Sequence, residues 1–526
     1  MHQPIRILLT TLLACAGGIL SATAKPPTME LRHLSSVSTS SSPSPGAAEI
    51  VAHDPATQRL LIVNAPQATV DVLSIADPAA PTLVTTLDVT AFGAVANSVA
   101  VKNGLIAVAV EATRKTDPGV VVFFNSSLQV VRTIAVGSLP DMLTFTPDGR
   151  YVIVANEGEP NSYGEDDSVD PLGTVSIIDL DRGLAGATVR SVDFRAFNGQ
   201  VLDSSIRIFG PDATVAQDLE PEYIAVSQDS KTAWVTLQEN NAVAVIDIRT
   251  GAVQRLAGLG TKNHNAVGAG LDPSDRDNAI AIAPWPVRSF YLPDGIATYR
   301  VKGQDYILLA NEGDAREWPG YVEDLRIGAA SVALDPKAFP NGAALKSNSR
   351  LGRLKIIPGA GDTDRDGDYD VLYAFGGRSF SIRRADGSLV WDSGDQFEQK
   401  TAAALPANFN ASNDTHAFDN RSDDKGPEPE SVIVGKVFGR EYAFIGLERI
   451  GGVMVYDVSE PAAPEFVQYV NFRDFTQPVK SLDAGDLGPE GLAFIAAEQS
   501  PIGKPLLVIA NEVSGTTTIF EIDKKK

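Results

Sequence analysis

The chain has 526 residues, 44% of them apolar, and a formal net charge of −22. That length can bury a large core, and a charge of that sign repels nucleic acid and anionic lipid while favouring cations, so a nucleic-acid-binding role is disfavoured. Cys15 is the single cysteine, so no internal disulfide can form and stability must come from packing or bound ions.

Residues 1–24 read as a secretory signal peptide. Arg6 precedes an almost wholly apolar stretch, 7–20, and Ala22-Thr23-Ala24 supplies a small-x-small cleavage site. The stretch is too short for a membrane span; a buried N-terminal helix is the other reading. Leu12-Leu13-Ala14-Cys15 resembles a lipoprotein box, which makes a lipid anchor at Cys15 the alternative to cleavage after Ala24. The expected location is extracytoplasmic, periplasmic or secreted, with an outer-membrane lipoprotein as the alternative.

From residue 46 to 523 one pattern repeats. The second strands of successive units read LLIVNA (60–65), IAVAVEA (106–112), YVIVANE (151–157), AWVTLQE (233–239), YILLANE (306–312), YAFIGLE (442–448) and LLVIANE (506–512). Each is followed by a third strand, such as TVSIIDL (174–180) or TTTIFEI (516–522). Short β-branched runs bounded by Gly, Pro, Asp and Asn are strands and turns. So many repeated units predict an all-β, seven-bladed β-propeller, which hides its edges blade by blade. Eight blades would follow if 321–427, taken as an elaborated fifth blade or insertion, conceals another. The last unit lacks a fourth strand before the basic tail 524–526. The strand MELRHLSSVS (29–38), within the N-terminal segment 25–45, is expected to fill that slot and close the ring.

The sharpest local motif is Asp362-Thr363-Asp364-Arg365-Asp366-Gly367-Asp368-Tyr369-Asp370. Alternate aspartates would surround one point, Gly367 permits the turn, and the Asp368 carbonyl with the Asp370 carboxylate completes an oxygen cage for calcium. A solvated acidic turn is the competing reading. Two weaker clusters, Glu165-Asp166-Asp167 with Asp170, and Asp272 with Asp275 and Asp277, read more readily as solvated.

Two acidic positions recur. Glutamate ends the second strand in six units, at Glu111, Glu157, Glu239, Glu312, Glu448 and Glu512. Five first strands open with Pro and an acid, at Asp141, Glu222, Asp294, Glu430 and Glu490, and Glu49 takes that place in the first unit. Equivalent positions lie at one height in a propeller, so each set predicts a partial ring. Glu157, Glu312, Glu430, Glu490 and Glu512 are the candidates for an axial site holding a second divalent metal. The structural alternative is that each acid bonds the neighbouring blade's backbone. Arg316, Arg378, Arg421 and Lys425 lie beside these acids in sequence and could orient a phosphoester or form internal salt bridges; the lone histidine His416 is the remaining catalytic candidate. No nucleophile elbow, phosphate-binding glycine loop or zinc motif occurs.

The runs LPDGIATYRVKGQDYILLANEGDAREW (292–318), YDVLYAFGGRSFSI (369–382), FDNRSDDKGPEPES (418–431) and GPEGLAFI (488–495) resemble the bacterial choice-of-anchor I family, which is similar to mesenchyme-specific cell surface glycoproteins. The resemblance implies an extracytoplasmic propeller whose members differ in their tether; some relatives are labelled alkaline phosphatase, and the strand openings resemble those of esterase-like phytases. Two functions follow. One is a calcium-binding surface module presenting a propeller face to a small molecule, glycan or protein. The other is a metal-dependent phosphoesterase using the axial acids, with metal-activated water attacking the ester.

Overall fold

A computed structural model describes residues 28–40 and 43–525; the expected signal peptide and Cys15 lie outside the described residues. The chain is a β-propeller. Seven antiparallel four-stranded sheets follow one another over 51–88, 95–138, 140–193, 221–258, 296–392, 429–470 and 489–524, here numbered blades one to seven. The first strand of each blade touches that of the next, and the first strand of blade seven touches that of blade one. The ring is closed.

The burial of each strand explains its pattern. Second and third strands lie between neighbouring blades with both faces covered, so Tyr151–Asn156 is buried at every position and reads as a continuous apolar run. Outermost strands such as Thr82–Asp88 are largely exposed and carry threonine and charge. First strands line the axis, where backbones crowd. The Gly491 amide donates to the Glu49 carbonyl at 2.8 Å, and a Cβ on Gly491 would sit 2.4 Å from that oxygen. Only glycine permits this approach.

The N-terminal strand closes the ring as expected. Met29–Ser38 runs antiparallel to Thr516–Lys524, from Met29 opposite Lys524 to Ser38 opposite Thr516. Met29 is fully buried among Phe444, Phe520 and Ile522, between blades six and seven.

The long segment 321–427 divides in two. The first insertion runs from the end of Gln304–Asn311 to the start of Ser379–Arg384, inside blade five, and has its own core around Ile327, Leu354 and Leu372. The second, after Leu389–Asp392, carries the helix Gln396–Ala404. The apolar runs 353–357 and 370–375 are not blade strands. Lys355–Ile356 pairs with Leu325–Arg326, and Tyr373–Ala374 joins Thr261–Asn263 and Arg288–Phe290 in a small sheet. Their alternation marks the insertion's separate core, which periodicity cannot tell from a blade. Among the described residues, no helix is long and apolar enough to cross a membrane.

Met29→Ala should destabilise the protein by about 2–5 kcal/mol, the usual cost of truncating a buried methionine. Arg32→Ala, on the exposed face of the same strand, should stay within about 0.5 kcal/mol. Urea unfolding of both variants checks this; equal effects would mean that the strand does not seal the ring by packing.

Candidate axial carboxylate site

The acids reach the axis through a repeated backbone device. In blade three Pro140 pairs with Asn156, but the next paired residue is Leu143 with Val154. One extra residue therefore bulges from the first strand, at Asp141-Met142. The same skip follows Pro221, Pro429 and Pro489. A bulge re-aims side chains, and here it turns the acid inward. The residue before the proline is left-handed in four blades: Leu139 at φ 49°, Leu292 at 45°, Glu428 at 49° and Gly488 at 69°. Residues before proline normally avoid that region, so strain is held at the mouth of the channel.

At the end of the second strand in blades three, five and seven, an asparagine is the residue that anchors. Asn156 Nδ2 bonds Thr174 Oγ1 at 3.2 Å and Ser176 Oγ at 3.0 Å, and Asn511 Nδ2 bonds Thr516 Oγ1 and Thr518 Oγ1 at 3.2 Å each. These buried amides tie second strand to third and fix where the following glutamate emerges. The Glu157 amide then donates to the Leu139 carbonyl at 2.9 Å, and that of Glu512 to Gly488 at 2.7 Å.

The two sets share one cavity of about 530 Å³. The first-strand position supplies Glu49, Asp141, Glu222, Asp294, Glu430 and Glu490, with Asn97 in blade two. The second-strand position supplies Glu157, Gln238, Glu312, Glu448 and Glu512, with Ala65 in blade one. Glu239 does not belong to this ring. Leu237 pairs with Pro221 as Asn156 does with Pro140, so the equivalent residue is Gln238, and Glu239 turns into a neighbouring cavity. Glu111 holds its register position but is not among the lining residues.

Glu159 and Asp314 complete the lining, bringing it to twelve carboxylates against two cations, Lys425 and Arg449. Burial, reinforced by neighbouring acids, pushes Glu49 up to about 8, Asp141 to about 7 and Asp294 to about 8. It drives Glu157, Glu222, Glu430 and Glu490 well above the carboxylate range. Buried Oε2 atoms of Glu222 and Glu430 have no hydrogen-bond partner among the described residues. Asp294, Glu312 and Glu430 each offer an oxygen within 4.8 Å of the others, as do Glu312, Glu428 and Glu448. All are hard oxygen ligands, the donor set that calcium or magnesium takes.

The basic candidates separate. Lys425 Nζ reaches Glu312 at 2.9 Å, Asp314 at 3.2 Å and Glu428 at 3.1 Å, an internal ammonium at the edge of the acidic cavity. Burial raises Glu428, but Lys425, Arg421 and Arg449 overcome it and hold that carboxyl well below its usual range. Arg421 bonds Glu428 and Asp424 and lines a second cavity of about 370 Å³ with Arg316, Lys355, Lys425 and Arg449. Arg316 is 2% exposed and clamped to Asp218 at 2.6 Å and Glu220 at 2.7 Å. Arg378 lines neither cavity; it bonds Glu398 and the carbonyls of Asp272, Ser422 and Asp424. His416 is also elsewhere, bonded to the Gln477 carbonyl at 2.6 Å and to Arg473. Sequence adjacency misplaced these two because each sits on a part of its insertion that packs elsewhere, Arg378 against Glu398 and His416 against Arg473.

In the 362–370 loop, Asp362, Asp364 and Asp370 come within 4.8 Å of one another. Asp366 does not join them; it accepts from the Asp368 amide at 3.2 Å. Asp368 instead groups with Asp370 and Asp335, a residue outside the motif. The Asp362 carboxylate accepts amides of Arg365 at 2.7 Å and Gly367 at 3.1 Å, so the turn is self-capped.

The sequence signal for the overlooked acids is a shared tetrad. Asn156-Glu157-Gly158-Glu159 and Asn311-Glu312-Gly313-Asp314 share one pattern, so Glu157 and Glu312 each have an acidic companion two residues on. Arg449 is legible only as the neighbour of Glu448.

The choice-of-anchor I domain profile matches residues 49–461. Gigasin-3a of Magallana gigas is 31% identical over 191 residues, covering 34% of this chain and 67% of that protein. The mesenchyme-specific cell surface glycoprotein of Strongylocentrotus purpuratus is 30% identical over 284 residues, covering 47% of this chain; the match spans 36% of that relative's length. Among solved structures, Kuenenia stuttgartiensis hydrazine synthase is similar over 93% of this chain and 99% of its own, at 14% identity and a TM-score of 0.45. The β-propeller domain of Myceliophteria thermophila Cps50 (Swd1) is similar over the same shares, at 8% identity and a TM-score of 0.43.

The raised carboxyls fix the sign of a pH dependence. They bind protons more tightly folded than unfolded, so their contribution to stability is full below the ordinary carboxylate range and is lost as pH rises towards about 8. Melting in the presence of a chelator should therefore fall in temperature between about pH 5 and about pH 9. Glu430→Gln should flatten the fall. A melting temperature that climbs over this range would contradict the clustering.

Proposed function

The chain belongs to the choice-of-anchor I family, and from that premise we propose that it is an exported, surface-associated β-propeller that binds divalent cations, calcium foremost, at its axial mouth and in the 362–370 loop. It presents this face to a ligand or partner. The observation that carries the reading is the concentration of twelve carboxylates against two cations in one cavity. Carboxylates so close cannot all ionise in a partly dry site without cations, because repulsion and desolvation act in the same direction. Asp294, Glu312 and Glu430 are the first-choice ligands, since Glu430 keeps an unpartnered oxygen. Asp362, Asp364 and Asp370 form the loop site, and Asp335 with Asp368 extends it.

A second reading, phosphoester hydrolysis, is favoured by one feature. Lys425 and Arg449 lie on the boundary shared by the acidic cavity and its cation-rich neighbour. An ester bound there would meet carboxylate-held metal on one side and guanidinium on the other. A divalent cation supplies Lewis-acid polarisation of a phosphoryl oxygen and a lowered water pKa. Arg449 orients the phosphate, with Lys425 holding Glu312 in place.

Equilibrium dialysis against calcium tests the first reading. The Asp294→Asn/Glu430→Gln double variant should lose at least one bound ion per chain, and Asp364→Ala should lose a different one, so that combining them is additive. Undiminished uptake by the axial double variant would sink the axial site. A chromogenic phosphate monoester, assayed with calcium, magnesium and manganese, tests the second. Turnover should fall about a hundredfold or more in Glu430→Gln, and absence of turnover with every metal ends that reading alone.

A further inference from the structure

A third group of carboxylates lies away from the axis, where segments joining the blades meet. Asp272 comes from the connection before blade five, Glu398 from the first turn of the helix Gln396–Ala404, and Asn410 and Asp419 from the loop that follows. All four are 1% exposed or less. Arg378 is the guanidinium that serves them, through Glu398 at 2.6 Å and the Asp272 carbonyl at 2.8 Å.

The hydrogen bonds can be followed atom by atom. The Asp272 carboxylate accepts the amides of Ser274 at 3.3 Å and Ala281 at 2.5 Å. Glu398 accepts from the Asp272 amide at 3.1 Å and from Asn410 Nδ2 at 3.0 Å. Asn410 Nδ2 also donates to Ser422 Oγ at 2.8 Å, and that hydroxyl donates onward to Asp419 Oδ1. Two oxygens remain. Asn410 Oδ1 and Asp419 Oδ2 are buried and have no donor among the described residues, although the same serine hydroxyl joins their two side chains. Both residues hold left-handed backbone, φ 44° and 67°, which turns them into this interior. A buried acceptor without a donor costs about 1–3 kcal/mol, and more when charged. Here Asp272 and Glu398 add negative charge beside Asp419.

We infer that Asn410 and Asp419 hold a hard divalent cation of the calcium class. The donors are amide and carboxylate oxygens with no imidazole or thiol, which selects calcium or magnesium over zinc or copper. The site stands apart from the axial cavity, with which it shares no ligand. It also controls something there. The Asp419 amide bonds the Phe409 carbonyl at 2.7 Å, and the Arg421 amide bonds that of Asn410 at 2.8 Å. A cation between the two side chains thus fastens the loop that delivers Arg421 and Lys425 to the cavities.

Crystals of the full chain grown in calcium and measured at long wavelength provide the direct test. An anomalous peak about 2.3–2.6 Å from Asn410 Oδ1 and Asp419 Oδ2 is expected. A water there without anomalous signal, or a closed contact with no density, overturns the assignment. An axial peak without this one defeats it alone; this peak without an axial one leaves it standing and defeats the axial proposal. In solution, calcium should slow tryptic cleavage after Arg421 and Lys425 at least about tenfold. Asp419→Asn should abolish that protection, whereas Asn410→Asp, which keeps the oxygen, and the axial double variant should retain it. Wild-type protection in Asp419→Asn overturns the inference.

Discussion

Like charges forced together on one axis are the constraint that the rest of this protein answers. Each blade delivers the polar opening of its first strand to the same small volume, and six of those seven positions are acidic. Nothing in a single blade calls for this; isolated, each acid would sit at the tip of a hairpin in water. The repulsion exists because the ring closes. Closure rests on packing that is indifferent to charge, the doubly covered second and third strands and the glycine-mediated approach of neighbouring first strands. The core thus supplies the free energy that holds the carboxylates where they oppose one another, and the left-handed residues before the prolines show strain concentrated at the same level.

Two solutions to that repulsion coexist around the mouth. On the side of blades five and six, Lys425 and Arg449 neutralise Glu312, Glu428 and Glu448 from within. Across the channel, Glu49, Glu222 and Glu490 form no ion pair among the described residues, and proton uptake or external cations must serve instead. A cavity charged in this lopsided way has a direction. One wall can capture cations, and the opposite wall, joined to the second cavity, can meet anions.

Much of the fold was legible in the residues. Alternating β-branched runs located all seven second strands, and the unpaired Met29–Ser38 strand was matched to the vacancy it fills. The ring of acids was legible too, because repetition turns sequence spacing into height. What escaped was register at the scale of one residue. Glu239 resembles the other glutamates in sequence, yet the Pro221 bulge gives its place to Gln238. Arg378 and His416 escaped for another reason: they lie in or beside insertions whose path is set by local cores, and no repeat fixes their height. In the aspartate loop, the motif identified the turn, but Asp366 was spent on its own backbone and Asp335 entered from a distant segment. The asparagines of the Asn-Glu pairs stand in the second strands of blades three, five and seven, and their role emerged only when strand partners were known.

The pairing of Met29–Ser38 with Thr516–Lys524 ties together segments near opposite ends of the described chain. No stretch of sequence between them can complete the ring, and the entropy of bringing such remote strands together falls on a single late step. Until that step blade seven offers an unpaired margin. A ribosome would therefore release every earlier blade before Thr516–Lys524 could meet its partner, so that closure is coupled in time to the synthesis of that strand.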